Sequence, residues 1–200
     1  MKPQIIILVF ALSLCSCASS YKQINPPVLN YLSKSTDKSV NFEYQNNLYS
    51  GREAKYELEN DIKLVAIKIT NNSGKDIVIG KNVNLLYADT SKVNMIDKYD
   101  VYSILRQQSN FYILYLALTT VILNVNKGDN TNTLAPIAYV IGPGLAASNF
   151  FVSRAINRGF KRELNKYYVF TGDTIKNSTV KYGLVGIKNW KYQDMVIKVD

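Results

Sequence analysis

The sequence predicts an α+β fold, mainly β with a helical insertion, and three observations carry that expectation. Apolar and polar residues alternate over 40–45. A β-branched run over 62–70 ends in Asn71-Asn72-Ser73-Gly74. No charged residue stands between Arg106 and Lys127 or between Asp129 and Arg154. The first two features have the two-residue period of strands joined by a tight turn. The third calls for helix whose apolar surface runs nearly all round and must be covered.

In order along the chain, Val40, Phe42 and Tyr44 fall on one face of a strand, with Asn41, Glu43 and Gln45 on the other. The charged stretch 52–61 (REAKYELEND) leads into strand 62–70, whose Val65, Ile67 and Ile69 share a face. Asn and Gly at 71–74 tolerate the positive φ of a tight connection. The return strand carries Ile77 and Ile79, pauses at Gly80-Lys81-Asn82 as a predicted bulge, and resumes with Val83, Leu85 and Tyr87. Further strands are expected over 167–170, 180–187 and 195–199, with turns at Thr171-Gly172-Asp173 and Lys176-Asn177-Ser178.

Two of these blocks, IKLVAIKITNNSGKDIVI and TIKNSTVKYGLVGI, resemble the hairpin and late strand of the small immunoglobulin-like β-sandwich modules of bacterial envelope lipoproteins. Asn177 stands where such modules commonly carry Gly. The resemblance covers about a third of the chain beyond residue 17. It implies a β-sandwich with a binding or scaffolding role and brings no catalytic residues with it.

The uncharged middle divides into an apolar segment 111–125, a polar link 126–132 (NKGDNTN) and a second segment 134–152. Pro136 and Gly142-Pro143-Gly144 break the second, and its small residues Ala138, Ala146, Ala147 and Ser148 let another backbone approach. Together they read as an inserted apolar helical hairpin within an insertion at about 103–166. Fifteen helical residues rise about 22 Å, short of the bilayer's hydrocarbon core of about 30 Å. Burial in protein and embedding in lipid both remain open for this hairpin. The Gly-Pro-Gly element lacks the lysine and spacing of a phosphate loop.

Residues 153–166 (SRAINRGFKRELNK) predict a basic amphipathic helix. Arg154, Arg158, Arg162 and Lys166 recur every four residues with Lys161 beside them, while Ile156, Phe160 and Leu164 form an adjoining apolar stripe and Glu163 is the only acid. Arginine suits bidentate contact with phosphate or carboxylate. These five cations are the candidate anionic-surface site. The alternative is a basic face that is solvated or paired with the acids of 53–61.

At the N-terminus, Lys2 precedes a run over 5–14 that is apolar except for Ser13 and ends in Leu14-Cys15-Ser16-Cys17. The run is too short to span a bilayer and reads as a signal peptide over 1–16. It resembles the bacterial lipoprotein signal, in which a leucine three positions before the cysteine and a small residue just before it direct lipidation and cleavage. The resemblance implies a covalent lipid on Cys17. Cys15 is the weaker attachment candidate because it would put Leu14 next to the cut. Residues 17–30, polar and containing Pro26-Pro27, read as a lipidated tether, and 31–200 as a single domain. The thirteen residues 18–30 reach at most about 45 Å, so the domain stays close to its membrane. Ala18 and Ser19 bring no acid next to Cys17, which in resembling Gram-negative lipoproteins favours the outer membrane.

Composition narrows the chemistry. Among 200 residues there is no histidine, and the only cysteines are Cys15 and Cys17. Thiol redox, thiolate metal sites, zinc sites and histidine-based catalysis are therefore not expected, and no cofactor is expected beyond the lipid. Beyond residue 16, 23 cations face 15 acids, a net charge of +8. In an envelope compartment that points to anionic lipid or lipopolysaccharide headgroups rather than nucleic acid, for which no aromatic signature is present. Glu57, Glu59 and Asp61 would share a face if that stretch were a strand, a weak setting for acid/base chemistry or calcium; Asp129 is a lone acid. The expected function is a membrane-anchored envelope lipoprotein that binds or scaffolds, possessing no catalytic activity and served by an envelope protein partner. The runner-up is a membrane-embedded accessory subunit of a larger assembly, held by the 111–152 hairpin. An envelope hydrolase using carboxylates or a Ser-Lys pair is a distant third.

Overall fold

A computed structural model describes residues 22–120, 124–127, 130–133 and 135–200. Cys15, Cys17 and the first part of the tether, 18–21, lie outside the described residues. The fold is mixed α+β with antiparallel strand pairing throughout its sheets. It divides into two compact units. One takes in residues 22–106 and 159–200, and the other, within the described chain, residues 107–158.

The larger unit is built on a five-stranded sheet in the order β1-β2-β3-β10-β6. Here β1 is Ser33–Asp37, β2 Val40–Gln45, β3 Ile62–Asn71, β6 Met95–Ile96 and β10 Thr179–Lys188. Two further pairs, β5 (Val83–Tyr87) with β11 (Met195–Val199) and β4 (Ile77–Val78) with β9 (Thr174–Ile175), supply the opposing apolar surface. Val40, Phe42 and Tyr44 of β2 and Val65, Ile67 and Ile69 of β3 pack in one buried cluster with Leu85, Tyr87, Met195 and Ile197. The alternation read from sequence thus places these side chains on the core face, as the strand period requires. At the pause before β5, residues 80–82 form a turn, and Gly80 takes φ +81°. Tyr168 makes a single parallel bridge to Leu184 instead of opening a strand over 167–170.

β3 and β10 are buried on both faces, since Leu64, Ala66 and Leu184 lie on the side opposite the core cluster and are fully covered. That second face carries helical structure: a 3-10 turn, Pro26–Val28; α1, Gly51–Glu59; and α2, Lys98–Leu105. The last residues of α3, Ala135–Tyr167, bring Phe160, Leu164 and then Tyr168 into buried positions. Gly186 permits this covering. A Cβ there would run into the Val101 side chain and lie 2.7 Å from the Tyr168 hydroxyl.

Several expectations are corrected. The stretch 52–61 is helical up to Glu59 and turns at 60–61, so Glu57, Glu59 and Asp61 do not line one strand face: Glu57 turns inward, Glu59 stays on the surface, and Asp61 takes φ +53°. The described end of the expected tether belongs to the fold, because Ile24 and Pro26 are buried in the larger unit.

In the smaller unit the uncharged middle takes three forms. Ser109–Thr120 is a 3-10 helix, β7 (Asn124–Lys127) pairs with β8 (Asn130–Thr133), and α3 follows. The described residues of the expected link, 126–127 and 130–132, thus lie in paired strands, while Asp129 lies outside the described residues. The expected break at Gly142-Pro143-Gly144 is absent, because α3 runs on with Pro143 inside it. One proline forfeits one backbone hydrogen bond and costs about 3 kcal/mol, which a helix of this length absorbs through its remaining bonds and packing. A 3-10 run of 12 residues is far longer than the three or four usual for that geometry.

Candidate functional site

The basic helix is where the sequence concentrates cations, and every one of its five candidate residues is exposed. Arg154 and Arg158 belong to the smaller unit, Lys161, Arg162 and Lys166 to the larger. The Arg154 guanidinium carbon lies 4.3 Å from the centre of the Phe150 ring, and Lys166 Nζ lies 4.7 Å from that of Tyr167. These contacts stack the cations on aromatic faces and leave their charge toward water. Among the described residues none of the five forms an ion pair with an acid. The acids of α1 have other partners: Glu57 Oε2 meets Lys63 Nζ at 2.8 Å, and Glu59 pairs with Lys55 at 3.5 Å.

Glu163, the lone acid of the basic run, has a different role. Its carboxylate is buried and accepts the backbone N–H of Ile24 at 3.1 Å, while one turn on Tyr167 donates its hydroxyl to Asn25 Oδ1 at 3.0 Å. The helix therefore holds the chain where it emerges from the N-terminal segment. Lys22 is five residues beyond Cys17, and five residues of extended chain reach at most about 18 Å.

Beside that entry point lies a cleft of about 250 Å³, floored by Ile24, Leu29 and Leu48 and rimmed by Lys22, Asn30 and Gln45. Val28 and Leu32 near it stand largely exposed. Sequence reasoning missed this cleft because its walls come from separated segments, and the single acid among cations was the only hint of the Glu163 clamp.

The remaining ionisable groups serve the fold. On the sheet, Glu43 stands between Lys34 and Lys68 of the neighbouring strands, at 3.3 and 2.6 Å. The Lys68 hydrogen bond holds the Glu43 carboxyl below the usual glutamate range. Burial instead pushes Glu57 above it, although Lys63 and the Leu64 N–H both donate to its carboxylate. The Tyr168 hydroxyl is pushed up by burial too; it donates to Ile96 O at 2.6 Å and accepts the Gly186 N–H at 3.0 Å. No group of three or more His, Cys, Asp or Glu side chains placed to hold a metal ion occurs among the described residues, nor does a helix long and apolar enough to cross a membrane.

Comparison with protein-family profiles, characterised proteins and solved structures gives no match to this chain.

Proposed function

We propose that this chain is an envelope lipoprotein, anchored through lipid on Cys17 in the outer membrane of a Gram-negative cell, and acting by binding or scaffolding. In this reading the β part of the larger unit is an immunoglobulin-like sandwich module, and Arg154, Arg158, Lys161, Arg162 and Lys166 engage phosphate-bearing headgroups. The observation that carries it is the distance along the chain: Ile24, buried and held by Glu163, stands only seven residues after the lipobox cysteine. A lipid there keeps the larger unit against the bilayer, where each nearby surface cation adds about 1 kcal/mol of attraction to anionic lipid.

The test is acyl labelling in cells. Cys17→Ala should abolish the label and leave an uncleaved or soluble secreted form, whereas Cys15→Ala should change little; a Cys17→Ala protein that keeps its label sinks the anchor. A second reading, an accessory subunit embedded through residues 111–152, is favoured by the exposed apolar side chains of the 3-10 helix.

A further inference from the structure

The smaller unit presents an apolar surface that nothing in the lipid-anchor reading uses. In a 3-10 helix residues three apart eclipse one another, so Phe111 and Leu114 form one row and Ile113 and Leu116 the next. All four stand exposed, Leu114 at 69%, while Tyr112 on the third row is buried. This helix starts just after Gln107, whose backbone N–H and carbonyl are both held by the Asn157 carboxamide at 2.8 Å. Phe111 stands four residues after that clamp, in the first turn of the 3-10 helix, and Phe151 stands six residues, about 9 Å, before Asn157 along α3. Phe151 and Val152 are exposed as well, with Arg154 stacked on Phe150 at 4.3 Å immediately after them.

We propose that this face is a second, non-covalent membrane contact, which lies in the boundary between headgroups and acyl chains of an anionic bilayer. It rests on the lipid-anchor reading only for the bilayer's nearness. Three observations favour lipid over a protein partner. Two adjacent rows of the 3-10 helix are apolar, with no charge anywhere between Arg106 and Lys127 to give a docking partner polar register. The backbone is satisfied internally by helical hydrogen bonds, as an element in lipid must be. The charge nearest Phe151 and Val152 along the helix is Arg154, stacked on Phe150 and exposed, a cation of the kind that pairs with phosphate at the edge of an apolar face. No helix of the described residues is long and apolar enough to cross, so the contact is interfacial.

The experiment uses the full lipidated chain in vesicles of phosphatidylglycerol and phosphatidylcholine, carrying either Leu114→Trp or Phe111→Trp. Both positions are exposed, so the fold tolerates the larger ring, and circular dichroism checks this. Buried Trp190, measured in the unsubstituted protein, gives the background emission. The expected result is a blue shift of the new tryptophan and loss of its emission when the phosphatidylcholine carries brominated acyl chains. A blue shift with no loss means a protein or a second copy covers the face; no shift and no loss means water does. Either overturns the proposal. Mass spectrometry of Cys17 is read separately, so a missing acyl group defeats the anchor, while quenching by the same vesicles still decides for or against this face.

Discussion

Ile24 donates its backbone N–H to the buried carboxylate of Glu163 at 3.1 Å, joining residues 139 apart in sequence. The bond ties the N-terminal entry of the chain to the helix that carries the cations. It also explains why one acid persists in that run: a glutamate at 163 faces inward, between Phe160 and Leu164, while Arg162 and Lys166 face out.

Removing that carboxylate should free the entry segment. Glu163→Ala leaves a buried N–H unsatisfied and should cost about 1–3 kcal/mol in urea unfolding. Glu163→Gln keeps an oxygen acceptor and should cost less. Limited proteolysis should cut the alanine variant around residues 22–30 sooner than the native chain. Equal unfolding midpoints for the alanine variant and the native protein would remove the clamp from the account.

Gly186 should be intolerant of a side chain. On β10 its position faces the helical layer, where an added Cβ collides with Val101 and presses on the Tyr168 hydroxyl and Ile96. Gly186→Ala should therefore destabilise by about 1–3 kcal/mol, the usual range for overpacking. Tyr168→Phe tests the same contact from the other side, because it strips the acceptor from the Gly186 N–H and the donor from Ile96 O. Unfolding experiments on the single and double variants should show less than additive losses, since both disturb one contact.

Much of the sheet was legible because its signal is periodic. Val40, Phe42 and Tyr44, or Val65, Ile67 and Ile69, need only the two-residue repeat to be placed on one face. The helix α1 was not legible for a related reason. Arg52, Glu53, Lys55, Glu57 and Glu59 scatter charge without an apolar repeat, and what orders the segment is the pairing of Glu57 with Lys63 and Leu64 of the next strand, a tertiary contact. Likewise the helical break expected at Pro143 rested on local propensity, which context overrides. At the site, the exposure of the cations followed from their four-residue spacing, whereas the cleft near Lys22 came from segments brought together only by the fold.

Two glutamates should pull stability in opposite directions as pH falls. Glu43 has its carboxyl lowered, chiefly by the Lys68 hydrogen bond. Its contribution is full above the unfolded glutamate value of about 4.3 and is lost as pH falls through the lowered folded value. Glu57 has its carboxyl raised by burial. Its charged form is less welcome in the fold than in the unfolded chain, so the fold gains stability as pH falls from the raised value toward the unfolded one. In urea midpoints measured from neutral pH down to about 3, Glu43→Gln should flatten the acid decline and Glu57→Gln should remove the gain above it. The reverse assignment of these slopes would show that the carboxylates are coupled differently from this account.

The basic helix should matter for binding and little for folding. Arg154, Arg158 and Arg162 are exposed and form no ion pair among the described residues, so changing all three to Gln should leave stability nearly unaltered apart from the Phe150 stacking, worth about 0.5–1 kcal/mol at an exposed site. Phe160 and Leu164 stay buried and keep the helix seated. A chain beginning at Ser20, without lipid, should bind anionic vesicles, and its binding should weaken as salt shortens the Debye length below about 10 Å. Three lost cations at about 1 kcal/mol each should weaken that binding by about two orders of magnitude. Sedimentation with phosphatidylglycerol vesicles measures it, with neutral vesicles as the control. If the triple variant folds and binds as the native chain does, the stripe is a solvated face, and the attraction belongs elsewhere on the surface.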